Sequence, residues 1–318
     1  MRRTAFVAAA VLLALAPAAG AAVRVDHFEF PYGARGYPVA IAPGTHGKVW
    51  SYDSEAGLER VQPRRPAAWF DSGLPHGFSG NIVPAGDGGV WFTTRERLAR
   101  ASHFGAITDY PVGDLRPDAL ATDADGDPWF SSDGTIGHVD LATGTVESFP
   151  AGQPAYIRTM ARGADGNLWF GGSGTVGFIT PAGEVTRFSV RDEVIDMTAG
   201  PGGRIWYTVV RDEVNYEVIS IATDGTRRKY KLPRRWHAGA ITAGPNRHSV
   251  WFVTGVARVA RLTPKGALRR YSDRVIKYRE PVVTDLAFDT RKHLWLTVNY
   301  VDPGNGHARG SGFARMTF

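Results

Sequence analysis

The sequence predicts an all-β fold, a seven-bladed β-propeller built of four-stranded antiparallel blades. Three observations predict it: a phrase repeated about every 40 residues, glycine-rich turns between short strands, and a last repeat whose missing strand the N-terminal region can supply. The phrase is an apolar pair, a Gly/Asp-rich turn, then an apolar residue, Trp and usually a second aromatic. Clean copies are Ala124-Asp125-Gly126-Asp127-Pro128-Trp129-Phe130 and Ala164-Asp165-Gly166-Asn167-Leu168-Trp169-Phe170, with others at Gly86–Phe92 and Gly200–Tyr207. Degenerate copies end at Trp50, Trp251 and Trp295, so the seven tryptophans are spaced by 41, 38, 40, 37, 45 and 44 residues. Spacing of that length, filled with short strands and turn residues, is the signature of propeller blades. A six-bladed ring is the rival count, and it would orphan one tryptophan unit.

Within the fourth unit, alternation and punctuation place strand a at about 157–161, strand b at about 167–171, strand c at about 175–180 and strand d at about 184–190. The turn Pro181-Ala182-Gly183 between c and d recurs as Ala142-Thr143-Gly144, Thr223-Asp224-Gly225 and Pro264-Lys265-Gly266, with glycine where a tight hairpin needs positive φ. The chain stops at Phe313-Ala314-Arg315-Met316-Thr317-Phe318, which reads as a strand c, so the seventh unit lacks its outer strand. Val23-Arg24-Val25-Asp26-His27-Phe28-Glu29-Phe30 reads as a spare outer strand. Pairing the two closes the ring and removes two open sheet edges.

Residues 1–22 read as a secretory signal: Arg2 and Arg3, an apolar stretch from Ala5 to Leu15, and a small-residue cleavage site at Ala19-Gly20-Ala21. The apolar run is shorter than the roughly 20 residues that span a bilayer, so the expected location is periplasmic or extracellular. Residues 23–318 then form one propeller domain, expected to be monomeric. With no cysteine in the chain, disulfides, thiolate metal sites and a cysteine nucleophile are excluded. The 38 glycines and 11% aromatics suit a β-rich globule with many tight turns.

In an up-and-down blade the start of strand a and the end of strand b share one face of the disc, around the central channel. Loops on a rigid scaffold carry function, so this mouth is the expected binding surface. Strand a, a Gly-rich turn and a phrase such as Trp91-Phe92-Thr93, repeated along essentially the whole of residues 23–318, resemble the streptogramin B lyase (virginiamycin B lyase) family. That resemblance implies a magnesium-dependent C–O lyase that linearises a cyclic depsipeptide. It further implies a histidine base near the start of a strand a and glutamates after Trp-Phe-Thr that serve the metal. A base near neutral pKa can take a proton next to a carbonyl, and magnesium on oxygen ligands stabilises the resulting charge.

The sequence departs from that pattern at both places. Three residues past each tryptophan stand Asp53, Thr94, Ser132, Gly172, Val209, Thr254 and Val298, none of them glutamate. Two residues before each strand-a anchor stand Val39, Gly80, Asp118, Arg158, Ile195, Gly239 and Thr284, none of them histidine. His237 and His76 fall near the position, two and four residues early, and are the candidate bases. The same face is expected to carry Asp53, Asp118, Arg158, Glu193, Asp196, Glu280 and Asp285 as ligand-binding groups, against the alternative of a solvated charged rim. Asp118 and Arg158, at equivalent places on adjacent units, are the sharpest pair.

Two further features are weighed and set lower. Asp123-Ala124-Asp125-Gly126-Asp127 superficially matches a calcium loop but lacks the distal glutamate such a loop needs, and reads as a hairpin turn on the opposite face. Between Arg227 and Arg279 fifteen Lys or Arg face a single acid, Asp273, giving a basic sector suited to an anionic envelope polymer. The competing reading is charge placed on outer strands to deter edge pairing. Nucleic acid is not expected as a partner of an exported chain.

The favoured function is thus a binding scaffold, with a small polar ligand at the mouth or an envelope polymer on the basic sector and no cofactor assigned. The alternative is the magnesium-dependent lyase with a rearranged site. A six-bladed, calcium-dependent sugar-lactone hydrolase is a third reading, disfavoured by the seven tryptophans.

Overall fold

The computed structural model describes residues 23–29, 38–53, 57–63, 67–70, 81–94, 97–152, 156–211, 215–255, 258–271, 281–301 and 308–318. The expected signal at 1–22, His76, Glu280 and residues 272–279 of the basic sector lie outside them. The regular structure described is β-strand throughout except for two single 3-10 turns, Thr45–Gly47 and Pro201–Gly203.

Five antiparallel sheets have four strands each. The first runs Pro38–Pro43, Val49–Asp53, Gly57–Val61, Ala68–Phe70, and the second Ile82–Pro84, Val90–Thr93, Leu98–Ala101, Ile107–Tyr110. The third runs Leu120–Thr122, Pro128–Ser132, Thr135–Val139, Val146–Pro150. Another holds Ile241–Ala243, Val250–Val253, Val259–Leu262 and Leu268–Tyr271. In the last, Pro281–Phe288, Leu294–Val301 and Ala308–Thr317 are completed by Arg24–Glu29, with Arg24 opposite Thr317 and Phe28 opposite Phe313. The strand borrowed from the N-terminal region therefore closes the ring. The innermost strands touch one another in chain order, and the last touches the first.

The blade count departs from the sequence expectation: there are six sheets, not seven blades. Ile157–Arg162, Leu168–Ile179, Val185–Ala199, Ile205–Arg211, Asn215–Ile221 and Arg227–Lys231 form one six-stranded sheet that contains both Trp169 and Trp206. Two of its strands change partner along their length. Leu168–Ile179 pairs first with Ile157–Arg162 and then with Val185–Ala199, which itself goes on to pair with Ile205–Arg211. The breaks expected after residues 171 and 190 are therefore absent. The Arg211 guanidinium holds the Asp192 carboxylate at 2.6 and 2.8 Å beside the long strand's midpoint, and a bidentate pair of this kind fixes geometry as well as adding energy.

Contacts between neighbouring repeats account for part of the recurring phrase, while the indoles of Trp129, Trp169, Trp206 and Trp295 donate within their own turns. The Trp50 indole donates to Gly88 O at 3.1 Å and the Trp91 indole to Gly126 O at 3.2 Å, each reaching the turn of the next repeat. Two residues after the tryptophan, the hydroxyls of Thr93, Ser131 and Thr208 donate to the Asp118, Ile157 and Gly239 carbonyls of the next inner strand. Each tryptophan of the phrase is buried, and replacing one by alanine would cost about 3–5 kcal/mol. The c–d turn glycines Gly183 (φ 86°) and Gly225 (φ 83°) lie under Phe149 and Phe188 of the preceding outer strands, where a Cβ would strike the ring.

Candidate functional site

The inner strands are bulged where they reach the channel mouth. Pairing skips a residue at Val39, at Arg158, at Ile195 and at Thr284-Asp285. A bulge leaves the extra residue unpaired and re-aims the neighbouring side chains. The result is a cavity of about 360 Å³ lined by Asp118, Tyr156, Arg158, Asp196 and Asp285, with Asn81 at its side. Four of the residues singled out from sequence, on four repeats, thus meet in one place.

Asp196 Oδ1 accepts from the Thr159 hydroxyl at 2.9 Å and the Met197 N–H at 2.7 Å, while Oδ2 accepts from Ile241 N–H of the next repeat at 2.8 Å. Asp285 does the same with fewer donors, taking Leu286 N–H at 2.7 Å and Ile41 N–H at 2.8 Å. Burial in the mouth pushes the Asp285 carboxyl up to about 8, with the Asp196 charge adding to the rise. Burial likewise pushes Asp196 up to about 6, against its three hydrogen bonds and the Arg158 charge. Asp118 is raised by burial, with the Tyr156 hydroxyl and Arg158 pulling the other way. Arg158 is already committed: its Nη1 lies 2.8 Å from Glu193 Oε1 at the exposed rim.

The remaining sequence candidates fall elsewhere. Asp53 is buried at the end of Val49–Asp53, beside the fully buried Glu59. Burial and the Asp53 charge hold the Glu59 carboxyl well above its ordinary range, eased in part by the Ser51 hydroxyl. His237 is exposed and stacks on Tyr216 at 4.6 Å between ring centroids, away from the residues that line the cavity. Sequence reading missed Tyr156 and Glu59. Tyr156 stands two residues before Arg158, so strand alternation was available as a signal, and an acid inside the apolar alternation of Gly57–Val61 marks Glu59.

Magnesium, which the family resemblance implies, does not fit the described mouth. Among the described residues no three of its carboxylates bring oxygens close enough to share an ion, and those of Asp196 and Asp285 are spent on backbone N–H groups. No histidine is among the described residues lining the cavity. On the basic sector Arg227, Arg228, Lys229, Arg269 and Arg270 are exposed, with Arg228 over Tyr230 and Arg270 over Trp236.

Comparison with known proteins bears on this arrangement. The sequence profile of the virginiamycin B lyase family matches residues 24–302. No curated protein matches the chain. Among solved structures, a catalytically inactive histidine-to-alanine variant of virginiamycin B lyase from Staphylococcus aureus, with quinupristin, is 21% identical. It aligns over 93% of this chain and 100% of that one, with a TM-score of 0.76. A streptogramin B lyase is also 21% identical, over 93% and 97% of the two chains, with a TM-score of 0.74. The extracellular domain of a protein named as a one-component system from B. thetaiotaomicron is 16% identical over 90% of this chain and 42% of that one, with a TM-score of 0.66. At these identities the likeness shows the fold alone.

Proposed function

The chain belongs to the virginiamycin B lyase family, and from that premise we propose that it is an exported binding propeller whose channel mouth takes a small polar ligand bearing a cationic group. The observation that carries this reading is the convergence of Asp118, Asp196 and Asp285 on one cavity where Arg158, the one guanidinium among the described residues lining it, is already paired with Glu193. Three carboxyls raised above their ordinary range chiefly by burial favour a cation, because an opposite charge brought among them stabilises their ionised form. Tyr156 and Asn81 add hydrogen-bonding groups that orient such a ligand. Export is supported by the leader pattern at residues 1–22.

Calorimetric titration with glucosamine and with glucuronate, as matched cationic and anionic probes, tests this. Binding of glucosamine alone, weakened by Asp118→Asn, is the expected outcome; preference for glucuronate overturns the reading.

Family membership favours a second reading, a magnesium-dependent lyase acting on a cyclic depsipeptide. Incubation of the chain with such a peptide and magnesium, followed by mass spectrometry, decides it: an opened ring establishes the lyase, and an intact one removes it. The exposed arginines of residues 227–270 give the basic sector as a second surface, for an anionic envelope polymer. Charge reversal at Arg228 and Lys229 should then lower the salt needed to elute the chain from an anionic resin.

A further inference from the structure

We propose that Asp123, Asp127 and His138 form a site for one divalent transition-metal ion, with zinc the best-fitting species, on the face of the disc opposite the channel mouth. The three side chains each present one ligand atom, all within 4.8 Å of one another. His138 Nε2 stands 3.8 Å from Asp123 Oδ2 and 3.8 Å from Asp127 Oδ2. Donors bound to one zinc at about 2.1 Å lie roughly 3.0–3.5 Å apart, so a small contraction completes the set.

The second observation is the histidine itself. Both ring nitrogens of His138 are sealed from solvent and make no hydrogen bond, although the ring is fixed by stacking on Trp129 at 4.2 Å. A buried polar atom without a partner costs free energy, and a metal on Nε2 supplies the partner. On the other side of the ring Glu147 Oε2 is 3.5 Å from Nδ1, the place where a carboxylate orients a metal-binding imidazole. The Trp129 indole donates to Asp123 Oδ2 at 2.9 Å and steadies that carboxylate. Beside the set lies a cavity of about 590 Å³, with Asp125 and Asp140 in its wall, which leaves room for water in the open coordination position.

Charge balance between repeats points the same way. The residue paired across from the phrase tryptophan is Arg60, Arg100, Arg261 or Arg315 in four other repeats. In the second, Arg100 lies 2.6 Å from the turn acid Asp87. The third repeat places His138 there, facing two carboxylates where one guanidinium would otherwise sit. A divalent cation restores the missing charge, and a mixed imidazole and carboxylate set suits zinc better than calcium or magnesium, which prefer oxygen alone. The turn reading of Asp123–Asp127 survives, since Asp123 Oδ1 accepts from Asp125 and Asp127 N–H; the third ligand comes from Thr135–Val139, the second strand after the turn.

The full chain, stripped with EDTA, is titrated with zinc chloride by calorimetry and with cobalt chloride by visible absorption. Expected are one zinc per chain, cobalt bands of a nitrogen and oxygen site, and a change in tryptophan fluorescence. His138→Phe supplies the side chain that the next repeat carries at the matching place, where Phe178 packs on Trp169 at 5.0 Å, so the fold is kept while the ligand is lost. It should weaken zinc by at least about 100-fold, with Glu147→Gln weakening it about 10-fold and exposed His248→Ala leaving it unchanged. Absence of stoichiometric zinc uptake, uptake that survives His138→Phe, or preferential calcium binding indifferent to that substitution would each overturn the proposal.

Discussion

Two groups of acids sit at opposite ends of the inner strands, and they differ in what lies beside them. At the channel mouth Asp196 and Asp285 spend their oxygens on backbone N–H groups of their own bulge and of the next repeat. They hold neighbouring repeats together and face the cavity at the same time. At the turn of the third repeat Asp123 and Asp127 face a histidine whose nitrogens have no partner. Asp123 likewise has its oxygens taken up by N–H donors, so what sets the turn apart is the histidine: buried ring nitrogens without a hydrogen bond, facing two carboxylates, ask for something to be added.

The largest effect that can break this contrast is on stability. Asp196→Ala leaves three donors without an acceptor and should cost about 3 kcal/mol in urea unfolding; a loss under about 1 kcal/mol would mean the mouth acids are not framework. Next is the pH dependence of cation binding at the mouth. Because a cation prefers ionised carboxylates, affinity for choline, a cation whose charge does not titrate, should rise by about tenfold as pH passes first the Asp196 value near 6 and then the Asp285 value near 8. Asp285→Asn should remove the upper step.

Glu59 gives a third, smaller test, of an acid with neither role. Its folded-state pKa is raised, so its unfavourable contribution is absent below the unfolded value and grows as pH rises towards the folded one. Glu59→Gln should therefore raise stability by about 1 kcal/mol at pH 7 to 8 and change little at pH 4, as read by chemical denaturation at both values. Smallest is Asp127→Asn in metal-free protein, expected to shift stability by no more than about 0.5 kcal/mol; a large loss would make that turn framework too.

The all-β class, the strand-and-turn order of the repeats and the closing strand were legible because each rests on local pattern: tryptophan spacing, turn glycines, and a strand missing at one end and spare at the other. The sheet count was not. Whether the chain breaks or runs on at Gly172 to Gly174 and at Arg191-Asp192 depends on pairing to a distant strand and on Arg211, which local alternation does not report. At the mouth, Asp118, Arg158, Asp196 and Asp285 were found because equivalent positions in repeats share a place on the ring. Asp53 was not separable from them by position, since the burial that removes it from the mouth belongs to its contact with Glu59. His138 was invisible as a ligand because its partnership with Asp123 and Asp127 is made across a hairpin, outside the spacing of a contiguous loop.

Pairing Arg24–Glu29 with residues 312–317 also sets a schedule for assembly. The closing strand is the first element of the ring to be made and its partner the last. Until residues 312–317 are made the nascent ring holds an open seam, because the strand they pair with precedes all the others. A circular permutant that joins the two strands by a short linker and opens the chain at the exposed hairpin Asp140–Thr145 would turn this longest-range contact into a local one. It should fold faster with little change in equilibrium stability.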